Sequence, residues 1–279
     1  MSAAATLGLV AGLGRLPFEV ARGARRAGRR VAAAAFVGFA DPALAGEVDA
    51  LRWLHVGELG ALLDWLAAEA ASEVVLAGLV PKQHLFSGSG LVRLDARAAA
   101  LLAELGDRGD DAILRALAGA LEDAGLRLAS QAEFAPHLLA PEGPLGAIRP
   151  SAAQLDDVGF AWPLAKAIGR LDIGQTVVVR ERTVLAVEAI EGTDAAIRRG
   201  GALGRGGACA VKVWKPGQDP RLDFPTIGPD TVETLREAGV ALLAVEAGRT
   251  LVLEREAVVQ RADAAAICVL GVADPAGAR

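Results

Sequence analysis

The most constraining feature of this sequence is the alternation, through its first half, of short apolar runs with segments of helical spacing. Leu7–Val10, Val31–Phe36 and Glu73–Ala77 have the length of buried strands, and Leu16–Ala27 and Val56–Glu69 between them carry apolar residues at helical intervals. Strands that alternate with helices predict a parallel sheet with helices on both faces. The first half is therefore predicted to form a Rossmann-like α/β domain.

A change of composition ends this pattern. Residues 134–150 hold four prolines and two glycines, as is typical of a linker or a long crossing loop. Beyond it, Thr176–Arg180 and Thr183–Ala189 predict a hairpin, and further short strands alternate with helices. We therefore predict an α/β protein of two domains, a Rossmann-like domain over residues 1–135 and a mixed α/β domain over residues 136–279.

Composition and charge narrow the functional classes. The net charge is −5, the basic residues are scattered, and aromatic residues make up 4% of the chain with no tyrosine. A nucleic-acid surface needs a basic patch and stacking platforms, so we expect no nucleic-acid partner. No run approaches the ~18 apolar residues of a membrane-spanning helix, so we expect no such helix, and we also expect no signal peptide. Cys209 and Cys268 stand in apolar runs, which predicts buried free thiols in a reducing compartment. These features together predict a cytoplasmic protein.

A glycine-rich turn follows the first predicted strand and opens a helix. Ala11, Gly12 and Gly14 could offer backbone N–H groups and a positive helix end to an anion. Pro17 stands where the dinucleotide-binding fingerprint has a third glycine, and no acidic residue closely follows the second strand, which argues against a nicotinamide cofactor. A plain strand-to-helix turn remains an equally good interpretation.

Lysine is rare in this chain. Arginine supplies most of the basic positions, and the only four lysines are Lys82, Lys166, Lys212 and Lys215. We therefore expect these lysines at positions that need the compact ammonium group of lysine and not merely a positive charge. Lys82 follows Gly78 at the end of the third predicted strand, the edge at which open α/β sheets place ligands.

Two carboxylates stand between a predicted strand and a predicted helix. Glu188 and Glu191 precede Thr193 and Asp194, which begin that helix. A glutamate at the end of a strand can hold a metal or position water. Helix capping is the competing interpretation, and the two roles can coexist.

The segment from Lys212 to Thr226 carries the strongest functional signal. Lys212 and Lys215 flank the end of a predicted strand, and Asp219 and Asp223 follow in a loop stiffened by prolines. Lysines neutralise phosphate charge, and carboxylates hold Mg²⁺ together with several waters. An ordinary polar surface loop is the alternative, but such a loop rarely needs so many prolines and both signs of charge. We therefore predict a site here for a phosphorylated substrate and a divalent metal.

Long segments of the chain resemble a known family. Gln175–Val179, Val184–Ala196, Val211–Ile227, Gly8–Pro17 and Gly109–Leu114 look like the UDP-2,3-diacylglucosamine pyrophosphatases of the LpxI type. The resemblance implies a Mg²⁺-dependent cytoplasmic hydrolase of lipid A synthesis. Such an enzyme cleaves UDP-2,3-diacylglucosamine to UMP and 2,3-diacylglucosamine 1-phosphate by attack of water on the β-phosphate. The resemblance also implies two domains with the substrate between them, and a homodimer with at most peripheral membrane contact.

The residues and the resemblance together give a set of predicted site residues. Asp223 matches the aspartate that the family needs for activity, and we predict Asp223, Lys212 and Glu191 as catalytic, with Asp223 and Glu188 as Mg²⁺ ligands. A carrier of a lipid-linked nucleotide sugar, with no turnover, would use the same charged loop and remains the alternative. The predicted substrate contacts are Ala11, Gly12, Gly14, Gly78, Lys82, Lys166, Gln175, Thr193, Asp194, Lys215 and Thr226.

Overall fold

The computed structural model describes residues 5–80, 90–105 and 110–274. The chain divides into two compact units. The first unit consists of Met1–Pro136 with Asp219–Asp223, and the second of His137–Gln218 with Phe224–Arg279. A short piece of the predicted active-site loop thus belongs to the first unit. The predicted domain boundary after residue 135 stays a prediction.

The first unit is built on a parallel sheet. Its strands follow the order β3-β2-β1-β4-β5, and all neighbouring pairs are parallel. Every residue of β1 is buried, as expected for a strand covered on both faces. The α/β class predicted from the sequence is confirmed. The strands are β1 (Thr6–Ala11), β2 (Arg30–Phe36), β3 (Ala50–Leu54), β4 (Ala71–Ala77) and β5 (Arg127–Leu128).

The first two helices of this unit lie within the predicted segments Leu16–Ala27 and Val56–Glu69. Pro17 lies in the first turn of the first helix, where a missing N–H costs nothing. A side chain at Gly23 would place its Cβ 1.7 Å from the carbonyl oxygen of Phe134, so glycine permits this close helix approach. The helices are α1 (Leu16–Arg26), α2 (Leu59–Ala68), α3 (Ala96–Glu104), α4 (Asp110–Asp123) and α5 (Gln131–Phe134), with a 3-10 turn at Pro42–Gly46.

The second unit holds a mixed sheet of order β6-β13-β11-β9-β7-β8. In this sheet β9, β11 and β13 run parallel, whereas β7 is antiparallel to β9 and forms the predicted hairpin with β8. A separate two-stranded ladder joins β10 to β12. The strands are β6 (Gly143–Pro144), β7 (Thr176–Arg180), β8 (Thr183–Val187), β9 (Ala208–Lys212), β10 (Thr226–Ile227), β11 (Val240–Glu246), β12 (Leu251–Val252) and β13 (Cys268–Val272).

Helices cover both faces of this sheet. Ser151 and Gln154 form a capping box at the start of the longest helix. The helices are α6 (Ala152–Arg170), α7 (Thr193–Gly204), α8 (Pro229–Ala238) and α9 (Arg255–Ala264). No helix among the described residues is long and apolar enough to cross a membrane.

The two faces of the second sheet pack against different helices. These helices identify the face on which each side chain at a strand end lies. Ile197 of α7 and Val232 of α8 belong to the core on one face, which also contains Ala208 and Ala210 of β9. Ala161 of α6 belongs to the core on the other face, which also contains Cys209, Val211, Leu242 and Ala244. Side chains alternate along a strand, so Lys212 points to the α7 face and Glu246 to the α6 face.

Cys209 and Cys268 are buried and unpaired, as predicted. Burial raises the pKa of the Cys209 thiol to about 12 and also raises that of Cys268. Both thiols therefore serve as small core side chains rather than as nucleophiles.

Candidate functional site

The candidate site lies at one edge of the second sheet. The parallel strands β9 and β11 end there, at Lys212 and Glu246. The antiparallel strand β7 begins at the same edge, because its first residue, Thr176, pairs with Lys212. The carboxyl ends of parallel strands are the usual place for ligands in open α/β sheets.

Lys212 is the central cation of this edge. Lys212 is only 7% exposed. Its Nζ donates to Thr193 Oγ1 at 3.1 Å and to the carbonyl oxygen of Thr226 at 3.3 Å. Both acceptors are neutral. Among the described residues, no carboxylate oxygen lies within 4.0 Å of Lys212 Nζ, the limit for an ion pair. The positive charge of Lys212 is therefore buried without a negative partner in that part of the chain.

Thr193, the first residue of α7, connects this lysine to a buried carboxylate. Thr193 Oγ1 accepts from Lys212 and donates to Glu188 Oε1 at 2.9 Å. The other carboxylate oxygen of Glu188 accepts from the backbone N–H of Gln175 at 3.2 Å, and the backbone of Glu188 donates to Thr176. Both carboxylate oxygens of Glu188 are thus engaged inside the protein. The structure brings together the predicted residues Gln175, Glu188, Thr193 and Lys212.

Thr226 contributes its backbone to the same group. Its carbonyl oxygen accepts from Lys212, whereas its hydroxyl donates to the carbonyl oxygen of Phe224 at 2.9 Å. In the structure Thr226 therefore orients Lys212 through its carbonyl oxygen, while its hydroxyl is bound to Phe224. Direct contact of Thr226 with a substrate stays a prediction.

Glu191 takes a different partner. Its carboxylate accepts from Arg199 at 2.5 Å and from the backbone N–H of Ala189 at 3.2 Å. Its own backbone N–H and the Arg199 guanidinium hold the pKa of Glu191 below its ordinary value, which makes it a weaker base. Asp194 is exposed in the first turn of α7, where an acidic side chain complements the helix dipole.

The other two described lysines both have carboxylate partners. Lys166 Nζ lies 2.6 Å from Glu246 Oε2 and 3.1 Å from Asp274 Oδ2, and Lys215 Nζ lies 2.7 Å from Asp172 Oδ1. Lys82 falls outside the described residues. Among the lysines that the structure describes, Lys212 is thus the one whose charge is left for a ligand.

The segment Asp219–Asp223 belongs to the first unit and is anchored there by its middle residues. Asp219 accepts three hydrogen bonds from the side chain of Arg221, at 2.9, 3.1 and 2.6 Å. Arg221 also pairs with Glu122, and the side chain of Leu222 is buried in the core of the unit. These hydrogen bonds lower the pKa of Asp219. Asp223 follows this anchor and is exposed.

The glycine turn of the first unit has a structural explanation. The backbone N–H of Gly12 donates to the carbonyl of Ala77 at 2.8 Å, and Leu13 and Leu79 exchange two backbone hydrogen bonds. A Cβ on Gly12 would lie 2.8 Å from the Leu79 oxygen, and Gly78 has a positive φ of 92° and abuts Gly12. Of the N–H groups that we expected to face an anion, that of Gly12 is therefore committed to the neighbouring segment.

The remaining residues of the turn keep their predicted position at the strand end. Ala11 is the buried last residue of β1, and Gly14 is exposed with a φ of 100°. Substrate contact at Ala11, Gly12, Gly14 and Gly78 stays a prediction.

Comparison with known proteins gives matches to both halves of the chain. The family model described as the LpxI N-terminal domain matches residues 6–138, and the LpxI C-terminal domain matches residues 141–270. The UDP-2,3-diacylglucosamine pyrophosphatase LpxI of Caulobacter vibrioides is 41% identical over 281 aligned residues, which cover 96% of this chain and 98% of that protein.

The chain belongs to the LpxI family.

The resemblance drawn from the sequence is thereby confirmed. Three of the segments that carried it, Gln175–Val179, Val184–Ala196 and Val211–Ile227, supply the backbone and side-chain groups around Lys212 in this LpxI-family chain. These family segments converge at one sheet edge.

The carboxylates of this LpxI-family chain do not form a metal cage among the described residues. No group of three or more His, Cys, Asp or Glu side chains there is arranged to hold a metal ion. Glu188, Glu191 and Asp219 each accept hydrogen bonds from a protein partner. Metal binding by Asp223 and Glu188 stays a prediction.

Sequence reasoning missed Glu246 and Asp274. Both lie near the ends of parallel strands, and both contact Lys166. The available signal was a charged residue directly after the apolar run Val240–Val245, which marks the carboxyl end of a buried strand. That charged residue is Glu246, which is 1% exposed.

Proposed function

We propose that this chain hydrolyses the diphosphate of UDP-2,3-diacylglucosamine and releases UMP and 2,3-diacylglucosamine 1-phosphate. The similarity to the Caulobacter vibrioides pyrophosphatase supports this proposal, because it extends over nearly the whole of both chains. A lipid-linked nucleotide sugar is then the substrate.

The observation that carries the proposal is the buried, unpartnered charge of Lys212. Removing an ammonium from water costs several kcal/mol when no opposite charge compensates it. A diphosphate supplies that negative charge. The ammonium has three N–H donors, and the described residues accept hydrogen bonds from two of them, so the third is available to a phosphate oxygen. Thr193 and Thr226 hold the ammonium in place before the substrate arrives, which is the pre-organisation that electrostatic catalysis requires.

In the proposed reaction, water attacks the β-phosphorus, which bears the sugar. The bond from that phosphorus to the bridging oxygen breaks, and UMP leaves with the bridging oxygen. Negative charge grows on the phosphoryl oxygens during this step, and Lys212 stabilises it. We propose that Asp223 provides the carboxylate of the reaction, as base for the attacking water or as metal ligand.

We further propose that the reaction uses Mg²⁺, which would neutralise charge on the diphosphate. Mg²⁺ is commonly held by one or two carboxylates together with substrate phosphates and waters, so a preformed cage is not required. The exposed carboxylate of Asp223 suits this role. Both oxygens of Glu188, the other predicted ligand, accept hydrogen bonds in the structure.

The same resemblance supports a proposal for the cellular location and the oligomeric state of the enzyme. We propose a cytoplasmic homodimer with at most peripheral membrane contact. Light scattering after size-exclusion chromatography measures the oligomeric state directly, and a monomer at micromolar concentration would contradict the dimer.

The alternative function is a carrier that binds the same lipid without turnover, since one buried lysine serves binding as well as catalysis. The test is release of UMP from UDP-2,3-diacylglucosamine by the purified chain, with Mg²⁺ and with excess chelator. We expect many turnovers with Mg²⁺ and loss of activity in chelator. Tight retention of intact lipid with no UMP would establish the carrier, and full activity in chelator would overturn the role of the metal.

A further inference from the structure

We propose that Lys166 and Glu246 are positioning residues that fix the backbone of Trp214 and thereby hold the site around Lys212. This inference rests on the proposed function. It also changes the prediction for Lys166, which we expected to contact the substrate.

Lys166 and Glu246 enclose Trp214 in a ring of hydrogen bonds. Glu246 Oε2 accepts from Lys166 Nζ at 2.6 Å and from the backbone N–H of Trp214 at 2.9 Å. Lys166 Nζ also donates to the carbonyl oxygen of Trp214 at 3.2 Å. One ion pair thus holds both backbone polar groups of a single residue, just beyond the end of β9.

Trp214 lies near the start of the predicted active-site segment. It lies two residues after Lys212 and directly before Lys215. Trp214 is 3% exposed, and its ring packs edge-on against Phe224, with ring centroids 4.7 Å apart and an interplanar angle of 81°. Phe224 directly follows Asp223 in the chain. The position of Trp214 therefore influences the backbone that follows Lys212 and the side chain of Phe224.

The charges of this group argue against Lys166 as a phosphate-binding residue. The Lys166 side chain is 12% exposed and lies between two carboxylates, Glu246 and Asp274. Its charge is already neutralised, in contrast to that of Lys212. A phosphate approaching Lys166 would meet the negative charge of both carboxylates.

Stability alone does not explain why an ion pair occupies this place. Buried ion pairs are often no more stabilising than apolar residues of similar size. Glu246 is 1% exposed, and its Oε1 has no hydrogen-bond partner among the described residues, with Arg249 Nε 3.7 Å away. The arrangement is costly for packing, but it gives Trp214 one fixed geometry, which a catalytic segment needs.

The test compares a single and a double variant. Lys166→Met leaves Glu246 buried without its cation, so we expect a lower melting temperature and a lower kcat. Lys166→Met combined with Glu246→Leu removes the uncompensated charge, so we expect at least half of the lost melting temperature to return. Turnover should stay about 10- to 100-fold below wild type, as a misplaced group can cost that much. A double variant that regains wild-type kcat would overturn the proposal.

A second measurement does not depend on turnover. Hydrogen exchange in the ligand-free protein reports protection of the Trp214 amide, which we expect to fall in the double variant while the amides of β9 and β11 stay protected. Unchanged protection at Trp214 would overturn the positioning role. If wild type itself shows no hydrolysis, the proposed function fails, and the exchange result still decides the positioning of Trp214.

An ion pair of the first unit provides a matched control. Arg22 Nη2 lies 2.5 Å from Glu47 Oε1 and belongs to no part of the proposed site. Arg22→Met combined with Glu47→Leu should leave kcat and the exchange of Trp214 unchanged. A loss of kcat in this control equal to that of the test variant would show that any lost ion pair reduces activity, which would contradict a specific role for Lys166 and Glu246.

Discussion

The ammonium of Lys212 lies 3.1 Å from the hydroxyl oxygen of Thr193, and that hydroxyl donates its own proton to Glu188 at 2.9 Å. A neutral hydroxyl therefore stands between a buried cation and a buried carboxylate. Glu188 orients the threonine without forming an ion pair with the lysine in the structure. The charge of Lys212 stays available for an anionic substrate.

Replacement of Lys212 should separate stability from activity. Lys212→Met removes a buried charge that no carboxylate compensates, so we expect a melting temperature equal to wild type or a few degrees higher. We expect kcat/KM to fall by about 10²–10³, as for loss of one donor to a developing negative charge. A raised KM should accompany the lower kcat, because phosphate is charged in the ground state as well.

Lys166→Met provides the control for this experiment, because it removes a lysine of low exposure whose charge is paired. Lys166 has carboxylate partners, so its loss should lower the melting temperature. If Lys212→Met destabilises the protein as much as Lys166→Met does, the description of Lys212 as an uncompensated charge is wrong.

Thr193 offers a test of the bridge between Lys212 and Glu188. Thr193→Val keeps the shape of the side chain but leaves Lys212 and Glu188 without their shared hydroxyl, so we expect kcat/KM to fall by about tenfold, the effect of roughly 1.4 kcal/mol. Thr193→Ser keeps the hydroxyl and should retain most of the activity. Equal activity of the valine and serine variants, measured under the same conditions, would rule out a role for the hydroxyl.

Asp223 is the carboxylate whose loss should reduce turnover most. Because it is exposed, neither Asp223→Ala nor Asp223→Asn should change the melting temperature by more than a few degrees. Both variants should lose about 10²–10⁴ in kcat, as for removal of a general base, and should still bind substrate through Lys212. Near-normal turnover of the asparagine variant, which keeps hydrogen bonding, would show that Asp223 has only a structural role.

Asp219 should make the stability of its segment depend on pH. The hydrogen bonds from Arg221 lower the pKa of Asp219 in the folded protein below the ordinary value, which is about 3.9. A depressed carboxylate pKa adds stability that is present above the ordinary value and is lost as the pH falls through the folded one. Urea midpoints of wild type and Asp219→Asn should therefore differ at pH 7 and converge below about pH 4. A difference that is constant between pH 7 and pH 3 would contradict this.

The sequence predicted the long elements well, and the reason is physical. Buried strands such as β9 form continuous apolar runs, and a lysine followed by a proline-rich loop marks where such a run ends. β3 was missed because Arg52 and Trp53 are exposed on this edge strand, and the helix predicted from Val56 begins at Leu59. Strands of two residues, such as β6 and β10, are too short to show periodicity.

The site was predictable as a set of residue types but not as a set of contacts. The rarity of lysine and the strand end singled out Lys212. Its difference from Lys166 depends on Glu246, which lies 80 residues further along the chain, and no local pattern reveals that pairing. The same holds for Asp219–Asp223, because nothing in the loop sequence indicates that its leucine enters the core of the first unit.

Hydrolysis of UDP-2,3-diacylglucosamine in ¹⁸O-labelled water, with mass analysis of both products, tests the central claim most directly. The proposed reaction yields UMP and 2,3-diacylglucosamine 1-phosphate in equal amounts, with the label in the sugar phosphate and none in UMP. Lys212→Met should reduce both products together. Intact lipid recovered from the wild-type protein, or label found in UMP, would contradict the account.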